Sequence, residues 1–237
     1  MDFSLTTFIW AFLGGLLPAL LWLWFWLKED GWHPEPGRLI FFAFIAGMIA
    51  VPVALVLEQF ADNYFTRGFF LLLLWASIEE LVKYFGAYFI AFRKACIDKS
   101  RCLDETIDPV IYMVTVALGF AALENTLFLL SPLAAGESLS GIVMGNLRFI
   151  GATVLHVVAS ASVGFAIGFA FYKSPWVKRL SLLFGLCTAA ILHTAFNFSI
   201  LLSEGGNLFL IFAIVWFSAL VVVYLFERVK RIRSPRL

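Results

Sequence analysis

The residues of this chain that could do chemistry inside apolar surroundings are few, and they fall in order along four stretches. The first is Ser77-Ile78-Glu79-Glu80-Leu81-Val82-Lys83, the second ends in Glu124-Asn125, the third holds His156, and the fourth holds His193 and Asn197. On a helix, Glu79 and Glu80 diverge by about 100°. Lys83 stands four residues from one and three from the other, so it can reach either. The spacing predicts that it pairs closely with one and leaves the other to face a partner or water. Two carboxyls in such unequal settings differ in proton affinity, which suits a general base beside a structural ion pair. Peptide hydrolysis needs an activated water, for which a glutamate with a histidine can take the proton. It also needs donors for the oxyanion, which an imidazole N–H and an Asn amide can supply. His193 and Asn197, four apart, share one helix face. No serine–histidine–aspartate set is expected to converge, and neither histidine lies in an H-E-x-x-H string. From the residues alone, a Glu–Lys pair that fixes helix packing and a Glu124–Asn125 clasp between helices stay open.

These residues need elements to hold them, and composition says where those elements sit. Hydrophobic residues are 62% of the 237, charged residues 14%, and mean hydropathy is +0.94. A water-soluble fold has no interior large enough for that much apolar surface, so lipid must solvate the rest. A net charge of +1 gives no field that favours nucleic acid. Cys96 and Cys102 are spaced unlike a zinc motif and read as ordinary thiols, as does Cys187. The apolar N-terminus lacks a basic leader segment and reads as a spanning helix rather than a cleaved signal.

A helix needs about 20 apolar residues to cross a bilayer. Seven stretches qualify: 8–27, 39–57, 68–92, 109–131, 149–171, 180–202 and 207–226. The fold class is therefore all-α, a single transmembrane bundle over 1–237. With the N-terminus outside, the cytoplasmic side takes every basic residue except Arg67, Arg148 and the intrahelical Lys83. This predicts an N-out, C-in, seven-span topology, and it puts the basic tail 227–237 in the cytoplasm as a topology anchor. Gly14, Gly15 and the face Ala152, His156, Ser160, Gly164 and Gly168 read as packing surfaces. A charge mid-span costs on the order of 2.5–3.5 kcal/mol, so the intramembrane polar residues are candidates for function. By depth they fall between the midplane and the outer surface, where they could line one cavity.

The ordered set Glu79-Glu80-x-x-Lys83, Phe120-x-x-x-Glu124-Asn125, His156 and His193-x-x-x-Asn197 resembles the PrsW family of intramembrane proteases, part of a wider group with CAAX prenyl proteases and bacteriocin-processing proteins. The resemblance spans the four helices from 68 to about 202. It implies a glutamate-based hydrolase with no metal or other cofactor, in a prokaryotic cell membrane, acting on a membrane protein or peptide. Anti-sigma factors with a single span are the substrates that it suggests, cut near the extracytoplasmic side. Carried over, Glu79 or Glu80 activates water together with His156, His193 and Asn197 form the oxyanion hole, and Lys83, Glu124 and Asn125 support them. Three other readings use the same residues: a zinc enzyme, an ion-coupled transporter, and a non-catalytic scaffold or immunity-type protein. A lysine beside the glutamates disfavours the metal, and no internal repeat supports the transporter.

Overall fold

The computed structural model describes residues 4–30, 34–66, 68–93, 103–137, 143, 147–203 and 208–232. Among them the regular elements are all helical. They are α1 (Leu5–Glu29), α2 (Gly37–Asp62), α3 (Phe69–Ala87), α4 (Asp108–Ala134), α5 (Thr153–Phe169), α6 (Pro175–Ser203) and α7 (Leu208–Lys230). Two π-helical turns extend them: Tyr88–Phe92 after α3 and Arg148–Ala152 before α5. Cys96, Cys102, His33 and much of the basic tail lie outside the described residues.

Six of the helices are long and apolar enough to cross a membrane. The sequence predicts seven, and the difference is α3. It is 19 residues long and carries Glu79, Glu80 and Lys83 within that length, which breaks its apolar run. Boundaries also shift. The second helix continues to Asp62, which brings Glu58 out of the predicted loop and into the helix. The sixth begins at Pro175 rather than 180.

The bundle is built around α4. Its most apolar window is 72% buried, as is that of the stretch through α5, against 11% for α7. The core of the fold therefore lies where α4 meets α1, α2 and α5, and α7 shows most of its surface to lipid. Because lipid is as apolar as leucine, helices associate here through close packing rather than through burial from water. The α2–α4 crossing shows how close. A Cβ on Gly47 would strike the carbonyl of Val116, and one on Gly119 would strike the carbonyl of Phe44. Both obstacles are backbone, so neither can swing aside. The small face predicted on α5 does pack in this way: a Cβ on Gly164 would sit 2.6 Å from the Cα of Val110 at the start of α4. Gly15 likewise faces the backbone of Ala122 and the Thr126 hydroxyl.

Overpacking of this kind costs on the order of 1–3 kcal/mol even where the core can adjust. Gly119→Leu is expected to lower the thermal unfolding midpoint in detergent, followed by tryptophan fluorescence. Gly37→Ala, where a Cβ meets nothing within 4 Å, should leave it in place.

Candidate functional site

Lys83 has no exposed surface, and its Nζ meets three acceptors from two helices. Glu80 Oε1 is 2.8 Å away, His156 Nδ1 2.9 Å, and Glu79 Oε2 3.3 Å. Three hydrogen bonds use all three N–H donors of an ammonium group. As the spacing predicts, Lys83 pairs closely with one glutamate, Glu80, and holds the other, Glu79, only by a longer bond. The third donor goes to α5, which brings His156 against the amine. The Phe120 ring, 4.2 Å from Nζ, covers a further side.

The network runs outward in two directions from this amine. With Nδ1 accepting from Lys83, His156 carries its proton on Nε2 and donates it to Glu124 Oε2 at 2.9 Å. Arg148 Nη2 donates to the same oxygen at 2.6 Å, and its Nε donates to Asn125 Oδ1 at 2.6 Å. Asn125 Nδ2 then donates to Thr153 Oγ1 at 2.9 Å. In the other direction, Glu80 accepts from Ser160 Oγ at 2.8 Å and from His193 Nδ1 at 3.0 Å. That leaves His193 Nε2 facing Glu79 Oε2 at 3.8 Å, too far for a direct hydrogen bond.

The structure thus brings together Glu79, Glu80, Lys83, Glu124, Asn125, His156 and His193. Asn197 is apart from this cluster: it is half-buried, one turn beyond His193, and makes no hydrogen bond with the described residues. The two glutamates are unequally bound. Glu80 is held by Lys83, Ser160 and His193 and is 1% exposed. Glu79 has one long bond to Lys83, and its side chain is 12% exposed. Lys83 and Arg148 are two cations against the three carboxylates of Glu79, Glu80 and Glu124.

Sequence reasoning missed three members. Arg148 looked like a loop residue; the π-helical turn that contains it aims its guanidinium back at Glu124 and Asn125. Such turns recur at functional sites. Ser160 looked like a packing residue, although its place one turn after His156 was a usable signal. Glu58 looked like a loop residue; its Oε1 is buried without a hydrogen-bond partner, and Glu79 and Glu124 are the leading charges acting on it. Apolar clefts of about 470 and 180 Å³ between α5, α6 and α7 include none of these charged or imidazole side chains.

The comparisons settle the family. Residues 35–225 match the model described as "PrsW family intramembrane metalloprotease". The chain belongs to the PrsW protease family. Protease PrsW of Geobacillus kaustophilus is 27% identical over 214 residues, 87% of each chain. That of Bacillus subtilis is 25% identical over 189 residues, 78% of this chain and 79% of the relative. That of Shouchella clausii is 26% identical over 225 residues, 92% of this chain and 95% of the relative. No solved structure matches significantly.

The family description implies a metal, and the residues can be tested for one. Glu79, His156 and His193 each offer a donor atom, all within 4.8 Å of one another. Two histidines and a carboxylate are a common catalytic zinc set. Here, however, Lys83 bonds to two of the three donors, and His156 Nδ1 is spent on it. A divalent ion would stand beside the ammonium charge. With Lys83 in place, the donor set fits an ammonium group rather than a metal.

The hub predicts a non-additive result. Removing one partner of a buried ion pair costs about 3–5 kcal/mol, because the other charge is stranded. Lys83→Met should therefore unfold far more readily than wild type, while Lys83→Met/Glu80→Gln should recover part of the loss. Additive losses in denaturant titrations would refute the pairing.

Proposed function

We propose that this PrsW-family chain is an intramembrane endopeptidase in which Glu79 is the general base and no metal takes part. The observation that carries this reading is the contrast between the two glutamates. Glu80 is fully bonded, whereas Glu79 is loosely bonded, partly exposed, and separated from His193 Nε2 by 3.8 Å. A water beside that pair could donate to Glu79 Oε2 while His193 Nε2 holds it in line. As the water attacks the scissile carbonyl carbon, its proton passes to Glu79. The C–N bond then breaks, and Glu79 returns that proton to the leaving amine. The Asn197 amide, on the same face of α6 as His193, is a donor for the oxyanion.

The resemblance puts His156 beside the water. The bonds on both of its ring nitrogens favour His193 for that place and make His156 a positioning residue, fixed between Lys83 and Glu124. Glu80 and Ser160 are positioning residues too, since they orient Lys83 and His193.

The distribution of basic residues favours seven crossings with the N-terminus outside, α3 being the seventh, stabilised by the internal pairing of its charges. In that orientation the cluster lies toward the extracytoplasmic half, which suits a single-span membrane substrate such as an anti-sigma factor. A metal enzyme is the second reading, favoured by the proximity of Glu79, His156 and His193.

The test is cleavage of single-span substrate segments by purified variants. Glu79→Gln should abolish cleavage while unfolding at the wild-type midpoint. Glu80→Gln should lose both activity and stability. Asn197→Ala should slow turnover by about 10²–10³ if its amide serves the oxyanion. Wild-type turnover in Glu79→Gln would sink the assignment of the base.

A further inference from the structure

At the other end of α4, about 24 Å along its axis from Glu124, a second set of acidic side chains converges without the catalytic residues. Glu35 comes from the segment between α1 and α2, Asp104 from the segment before α4, and Asp108 from its first turn. Each presents a carboxylate oxygen, and these lie within 4.8 Å of one another. Asp108 is buried, and its Oδ2 accepts from the backbone N–H of Asp104 at 2.8 Å and of Glu105 at 2.7 Å. Glu35 Oε2 accepts from the Tyr112 hydroxyl. The Asp108 and Glu35 carboxylates are thus oriented by neighbours, while Asp104 is exposed beside them.

Independent of that cluster, Asp30 at the end of α1 is only 4% exposed, and its Oδ2 has no hydrogen-bond partner. The leading charges acting on it are Asp108 and Glu105, which puts it beside the acidic cluster. Lys230 also acts on Asp30, but its ammonium is engaged by the Glu29 carbonyl and the Glu227 carboxylate, each at 2.8 Å. An acidic pocket that is this short of positive charge either retains protons or takes up a cation.

We propose that Glu35, Asp104 and Asp108, with Asp30 beside them, form a site for one hard divalent cation, Mg²⁺ or Ca²⁺, that clamps the α1–α2 segment to the start of α4. The donors are all oxygen, which excludes a preference for soft metals. The ion supplies the missing charge and joins Glu35, which the Tyr112 hydroxyl already ties to α4, to Asp104 and Asp108. The site is structural and separate from the proteolytic cluster.

The test uses the full chain in a neutral detergent, stripped with EDTA and then dialysed. Mg²⁺ and Ca²⁺ are titrated separately by calorimetry, and unfolding is followed by tryptophan fluorescence. Wild type should bind one equivalent of at least one ion saturably, and its unfolding midpoint should rise with ion concentration. Asp104 is exposed and caps nothing, so Asp104→Asn keeps the fold. That variant should bind about tenfold more weakly or worse, with no fall in its cation-free midpoint. Asp30→Asn, which fills the same space without the charge, should also weaken binding. Absence of saturable binding to wild type would overturn the proposal. Equal affinities and equal midpoint shifts in wild type and both variants would overturn it as well.

Discussion

One buried ammonium group holds the polar interior of this protein together. Lys83 sits among Glu79, Glu80 and His156 with no exposed surface, and each of its donors has an acceptor. Remove its charge and two carboxylates are left in a low-dielectric interior without a cation between them. The directions of two neighbouring groups, His156 and Glu80, follow from it. It fixes the His156 tautomer, which sends the Nε2 proton to Glu124. It anchors Glu80, which in turn orients His193 and so leaves Nε2 of that ring turned toward Glu79.

A hub of this kind demands that three helices approach one another closely and keep register. The small residues provide for that. Gly47 and Gly119 let α2 and α4 cross backbone to backbone, and Gly164 lets α5 lie against the start of α4. With α4 and α5 held, His156 and Glu124 are at hydrogen-bond distance from opposite sides of the same interface. The chain therefore combines two kinds of constraint: steric contacts that set helix separation, and a charge network that sets rotation. Neither alone would place Glu79 as the loosely held carboxylate beside fully bonded neighbours.

Much of this was legible in the residues. Glu79, Glu80, Lys83, Glu124, Asn125, His156 and His193 stood out because polar groups within apolar runs are costly, and the structure gathers all of them. The helices were legible because long apolar runs leave few alternatives. What was not legible depended on distance across helices. Lys83 gives its third hydrogen bond to His156 on α5, and spacing along α3 alone cannot show that. Arg148 joined the site through a π-helical turn, a local change in helical winding with no clear sequence signature. Glu58 was hidden by a helix that runs past its last strongly apolar residue. Asn197 shares the helical face of His193 but stays one turn away from the cluster, so same-face spacing alone did not give a contact.

In the proposed mechanism an ammonium group occupies the place that a catalytic metal would need. Its most direct test is the zinc and other first-row transition-metal content of proteolytically active, purified wild type and of His193→Ala, read by elemental mass spectrometry after exposure to 1,10-phenanthroline. Wild type is expected still to cleave its substrate and to hold far less than one equivalent of such a metal, with no difference in His193→Ala. One tightly held equivalent in the active wild type, lost in His193→Ala, would contradict it.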